Sequence, residues 1–99
     1  MRRLAELLEA VESQTAQGGQ VISYLGHGWV WLDLGPRRRR EKTEAGVARS
    51  VDTMTAAARV DPRVAEGRIL RFGGADWTVV AIEDAARSGR CDLMLERRP

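Results

Sequence analysis

The run Arg37-Arg38-Arg39-Arg40 is where this sequence offers the most chemistry. Guanidinium groups stay protonated at any working pH, so four in a row make a fixed block of positive charge. An extended chain points alternate members to opposite sides, and a helix fans them through about 300°. Neither arrangement buries all four, so the run faces water or a polyanion. Residues 35–50 hold six basic groups (Arg37, Arg38, Arg39, Arg40, Lys42 and Arg49) against Glu41 and Glu44. The surplus of four exceeds the net charge of +2 on the whole chain, so the remaining residues sum to −2. Such asymmetry suggests one region that meets a polyanion or an acidic partner surface. Phosphate contacts of this kind position a nucleic acid without reading its sequence. A solvated loop that discourages aggregation is the plainer reading of the same residues.

Bond-making chemistry is poorly supplied. His27 and Cys91 are the only histidine and the only cysteine, 64 positions apart. A nucleophile–base pair would require them to meet in space, and His27 has no carboxylate in its own turn to orient it. Zinc wants about four ligands, and the soft ones number two, so no metal site is expected. The glycine-bearing stretches "GHG" and "FGGADW" are neither a G-x-x-x-x-G-K-[ST] loop nor a strand–G-x-G-x-x-G–helix unit. Hairpin turns explain them. No catalytic residue, metal or cofactor is assigned. Trp29, Trp31 and Trp77 could stack bases as in OB-like single-strand binders. Inside strand patterns, however, tryptophan more often serves a core or an interface. The outward member of the Trp29/Trp31 region is the candidate for a subunit contact.

These residues need a scaffold, and 99 residues make a single domain, 1–99. No apolar run approaches the roughly 20 residues that span a bilayer. The amino end is charged and does not resemble a secretory signal. With one cysteine, no intrachain disulfide can form, and a reducing cytoplasm is the simplest compartment.

Residues 3–12, "RLAELLEAVE", place Leu4, Leu7, Leu8 and Val11 on a helical stripe, and taken alone predict a short helix. "TAQGGQ" reads as a turn. "QVISYL" (20–25) and "GWVWLDL" (28–34) read as two strands, with His27 between Gly26 and Gly28 in a tight hairpin. In the second, Val30, Leu32 and Leu34 share one face, and Trp29, Trp31 and Asp33 the other. Pro36 closes it. Residues 35–50 read as a long charged loop, with a helical turn around 41–48 as an option. Met54, Ala56, Ala58 and Val60 can share a strand face, and 61–67 is a connector. "RILRF" and "WTVVAIE" flank a Gly73-Gly74 turn. Residues 84–90 turn again, "CDLMLER" alternates with Cys91, Leu93 and Leu95 on one face, and "RRP" frays. The pattern predicts a mainly β fold, a small antiparallel barrel or sandwich of five to six strands with one long charged loop.

The order "GWVWLDLGPRRRREKTEAG", "TMTAAARV", "GRILRFGGADWTVVAIEDAARSGRCDLMLER" resembles the head–tail joining (head-closure, or stopper) proteins of long-tailed phages and gene transfer agents. Trp31, Leu32, Asp33, Leu34 and Pro36 stand in that family's tryptophan strand. Val64, Gly67, Ile69, Phe72, Gly74, Trp77, Val79, Ile82 and Asp84 stand in its hairpin, and Leu93, Leu95 and Glu96 in its last strand. The similarity covers roughly residues 20–97. Two places depart from it: the family opens with a strand where this chain has "RRLAELLEAVE", and carries bulkier residues where this chain has Ala56–Ala58.

The resemblance implies a binding and gating protein, not an enzyme. Its expected partners are copies of itself in a ring, typically a hexamer, a portal or adaptor ring above, a tail terminator ring below, and double-stranded DNA in the lumen. Its place would be the neck of a phage-like particle made in the host cytoplasm. Arg37–Arg40, Lys42 and Arg49 would then face the DNA channel or the next ring, with Trp29 and Trp31 at the ring interface. The alternative is a free-standing small-barrel nucleic-acid-binding module.

Overall fold

The computed structural model describes residues 1–85 and 89–97. The described residues form six strands: β1 (Arg2–Gln14), β2 (Gln20–Glu44), β3 (Val47–Arg59), β4 (Ile69–Phe72), β5 (Ala75–Ala85) and β6 (Arg90–Arg97). All pair antiparallel and close into a barrel in the order β1-β2-β3-β6-β5-β4. The connection from β3 to β4 carries the chain across the barrel, and Val64 within it joins the core. The all-β barrel expected from the sequence is the observed fold. Part of the turn expected at 84–90 (86–88) and most of the frayed end (98–99) lie outside the described residues.

Alternation builds the core. Cys91, Leu93 and Leu95 point inward from β6, and Val30 and Leu32 from β2, as their period of two predicts. Met54, Ala56 and Ala58 point inward from β3, but Val60, past the strand's end, is exposed. Ala5, Ala56 and Ala58 are the small inward residues that leave room for Trp77 and Phe72, whose rings stack at 6.1 Å and 8°. A small barrel needs this mixture of large and small to fill its interior.

β1 is strand, not helix. Its backbone is laddered to β2 on one side and to β4 on the other. The β2 ladder runs almost its whole length and the β4 ladder covers Glu6–Leu8, and helix propensities of a few tenths of a kcal/mol per residue do not compete with them. Ala5 and Leu7 face the core, while Leu4 and Val11 of the supposed helical stripe are 41% and 39% exposed.

Two further expectations are corrected. Residues 20–25 and 28–34 are one strand, not a hairpin. The step from Leu8↔Gly26 to Glu6↔Trp29 spends one more residue on β2 than on β1, so Gly26-His27-Gly28 is a β-bulge. Gly28 takes φ +93, and a Cβ there would lie 2.8 Å from Arg63 Nη1. Nor does Pro36 end the strand: β2 runs on to Glu44, turns at Ala45-Gly46, and returns as β3. The expected loop 35–50 is a β-hairpin. Gly35-Pro36 is a second bulge, between Leu34↔Ala56 and Arg37↔Met54, which accommodates a residue with no N–H to offer. A third, at Val80, lets β5 turn Ile82 towards the core.

β2 would span about 80 Å if straight, yet the molecule measures 50 × 32 × 25 Å. The strand therefore coils around the barrel, bending at its bulges. Both its ends outrun the barrel wall. Residues 10–14 pair only with 20–24, making one two-stranded arm; residues 40–44 pair with 47–51, where β6 no longer reaches, making a second. Because both arms are built on β2, one from its start and one from its finish, they leave from opposite ends of the barrel.

Candidate functional site

The basic arm begins at the Gly35-Pro36 bulge, which decides where each arginine points. Before it, even-numbered residues of β2 face inward (Val30, Leu32). The extra residue inverts this phase, so Arg37 and Arg39 share a face with their ladder partners Met54 and Asp52. Arg38, Arg40 and Lys42 take the opposite face, with Thr53, Val51 and Arg49 across the ladder. The alternate pointing expected of an extended run is thus observed, with a specific phase.

The inward pair is tied to a buried acid, with the Arg37 and Arg39 side chains still 49% and 65% exposed. Asp52 is 2% exposed and receives hydrogen bonds from Arg37 Nη2 and from Arg39 Nε, the latter at 3.1 Å. These two guanidiniums, Arg37 first, hold its carboxyl below the usual aspartate range. Arg37 also lies over the Trp77 ring at 5.5 Å, and Arg97 over the same ring at 5.7 Å. A buried acid and a buried indole therefore anchor half of the tetra-arginine run. Sequence reasoning missed Asp52, although it shares the parity of Met54, Ala56 and Ala58 and so was readable as inward-facing.

The outward set is different. Arg38, Arg40 and Arg49 are exposed, and none has a carboxylate partner among the described residues. Lys42 Nζ lies 3.5 Å from Glu96 Oε2. A shallow groove of about 520 Å³ lies beside Pro36, lined by Arg38, Arg39 and Arg40 with Thr53, Met54, Thr55 and Met94.

Trp29 and Trp31 are both outward, 57% and 53% exposed, on the wall between the arms. Arg2 lies over Trp31 at 4.8 Å. Their ladder partners Glu6 and Leu4 share the face, and the bulge at 26–28 keeps Tyr24 and Ile22 on it. Leu4, Ile22, Tyr24, Trp29 and Trp31 thus form an exposed apolar row along the outer side of β1 and β2. Only the tryptophans were singled out from sequence. The others were hidden because the bulge shifts the alternation and because Leu4 had been placed on a helical stripe.

His27 and Cys91 serve different parts of the barrel. His27 Nε2 is 2.9 Å from Glu9 Oε1, a carboxylate delivered from β1 by strand pairing. That hydrogen bond, with Arg68 at 3.9 Å, lowers the Glu9 pKa. Arg63 fastens the bulge: it donates to the His27 carbonyl at 2.8 Å while paired to Asp61 at 2.7 Å. Cys91 is in the core, and burial pushes its thiol pKa up. An uncharged, enclosed thiol is a poor nucleophile. Among the described residues, no group of three or more His, Cys, Asp or Glu could hold a metal ion.

No family model matches the chain, and no curated protein matches it. Its fold is similar to that of a chain in a solved structure described as the virion of a native gene transfer agent particle. The likeness has a TM-score of 0.73 and covers 98% of this chain and 94% of that one, at 21% sequence identity. The two chains share the barrel almost end to end.

Proposed function

We propose that this chain is a structural subunit of a tailed phage or gene transfer agent: a head–tail connector of the stopper type that forms a ring, closes the DNA-filled head and joins it to the tail. The observation that carries the proposal is the end-to-end likeness to a virion chain, in a barrel whose two arms leave from opposite ends. A ring subunit must touch its copies sideways and different partners above and below. The exposed apolar row of Leu4, Ile22, Tyr24, Trp29 and Trp31 offers the lateral surface, since apolar patches of this kind mark association sites. The basic arm offers one axial surface, and the opposite arm, with Val11, Val21 and Leu25 exposed and Glu12 as its charge, offers the other. The work is binding and gating, with no bond chemistry.

The test has two arms. Mass determination and electron microscopy of the purified chain at rising concentration should show rings. Deleting its gene from producing cells should yield filled heads that lack tails or leak DNA. A protein that stays monomeric at every concentration and is dispensable for particles removes the proposal. A second reading, a free-standing small-barrel nucleic-acid-binding module, is favoured by Arg38, Arg40 and Arg49 alone, which have no carboxylate partner among the described residues. It calls for duplex affinity without rings and without any particle defect.

A further inference from the structure

We infer that the basic arm binds the phosphate backbone of double-stranded nucleic acid through one face only, carried by Arg38, Arg40 and Arg49, while Arg37 and Arg39 take no part in binding. The inference rests on the connector reading for its setting, a duplex threaded past the arm, but the binding is a property of the arm itself.

Charge separation across the ribbon comes first. On the inward face, Arg37 and Arg39 are engaged by Asp52, and Glu41 follows them. That face is close to neutral. On the outward face, Arg38, Arg40 and Arg49 have no carboxylate partner among the described residues. Alternate residues of a strand stand about 6–7 Å apart on one side, so Arg38 and Arg40 form a row, and Arg49, on the neighbouring strand, widens it. A regular row of fixed cations fits a regular row of fixed anions, and a duplex presents one every 1.7 Å or so of its axis.

Shape and composition then choose among polyanions. From residue 51 to the hairpin tip the arm has no third strand, so Arg40 and Arg49 stand on a two-stranded antiparallel ribbon and Arg38 at its root, where β6 joins; a ribbon of that width is what a duplex major groove or its phosphate rim admits. Single strands are held by stacking their bases on aromatic rings, and no Phe, Tyr or Trp occurs from residue 37 to residue 71. The arm therefore has charge to meet phosphate and nothing to meet an unstacked base. Contacts to backbone phosphates fix position and carry no sequence information, so binding through them is indifferent to sequence.

The experiment uses the full-length protein and a short duplex DNA, with affinity measured across a salt series. The wild type should bind, with affinity falling steeply as salt rises. Arg38→Ser/Arg40→Ser/Arg49→Ser should flatten the log–log salt slope by about 2.7, which is three phosphate contacts. The control Arg37→Gln/Arg39→Gln/Asp52→Asn removes the inward cations together with their acid, so no buried charge is orphaned. It should keep the wild-type slope. Arg38→Ser alone changes net charge by the same single unit as that control, yet should lower the slope by about 0.9. Circular dichroism of each variant confirms a folded barrel.

Four results overturn the inference: no duplex binding at low salt, equal losses from the inward and outward sets, tighter binding to single strands, or competition by polyglutamate as strong as by duplex at equal charge. The last would transfer the face to an acidic protein partner. Rings without DNA affinity would end this inference and leave the connector standing. DNA affinity without rings would do the reverse.

Discussion

Gly35 passes so close to Thr55 that a Cβ on residue 35 would lie 2.8 Å from the Thr55 carbonyl oxygen. This contact is the inside of the bulge that sets the phase of the four arginines. Gly35→Ala should therefore cost about 1–3 kcal/mol through forced backbone displacement. In a domain of this size each kcal/mol lowers the melting temperature by about 4–8 °C. Calorimetry of the variant measures it; an unchanged melting temperature would show that the two strands can part without loss.

Asp52 should make the barrel acid-sensitive. Its pKa is lowered in the folded state, so its stabilisation is fully present above the unfolded aspartate value of about 3.9 and is lost as pH falls through the lower native value. Asp61 and Asp76, held by Arg63 and Arg71, act in the same direction. Asp52→Asn should lower the melting temperature at neutral pH and lessen its fall below about pH 4. Melting curves from acid to neutral pH provide the check, and parallel profiles for variant and wild type would contradict it.

Trp29 and Trp31 should matter to association more than to folding. Both are more than half exposed, and what Trp31 gains from Arg2 is an exposed cation–π contact of about 0.5–1 kcal/mol. Trp29→Ser/Trp31→Ser should thus melt within a few degrees of the wild type while losing concentration-dependent assembly. Light scattering coupled to gel filtration separates the two effects. A monomer that unfolds would move the tryptophans from interface to fold.

Cys91 should be silent in the native state. Enclosed by the core and with its pKa raised, the thiol should resist a disulfide reagent until denaturant opens the barrel. Leu93→Ala, two residues on and 0% exposed, should cost about 2–5 kcal/mol and accelerate labelling. Rapid labelling of the intact wild type would place Cys91 outside the core.

How far the sequence could be read depended on whether a strand has one wet face. β6 and the inner half of β2 do, so Cys91, Leu93, Leu95, Val30 and Leu32 announced themselves by alternation. The turns at Gly18 and at Gly73-Gly74 were equally plain, because their φ values of +81, +60 and +75 favour glycine. The arms were not legible. A ribbon wetted on both faces needs no alternation, so 35–50 looked like a loop although its backbone is fully laddered. β1 misled for another reason: its barrel half, residues 2–8, owes its strand state to partners about 20 to 65 residues away, which no local window contains. Bulges account for the remainder. Each moves the period by one, so a correct inward face on one side of Gly35-Pro36 gives the wrong one on the other.

β2 has a consequence for whatever the two arms touch. It runs unbroken from one hairpin tip to the other through the barrel wall. Neither arm hangs on a linker, and a slip of one residue would turn a whole inward set outward. The chain is in effect a fixed-length gauge: anything bound at its two hairpin tips would be held at a separation written into the number of residues in one strand.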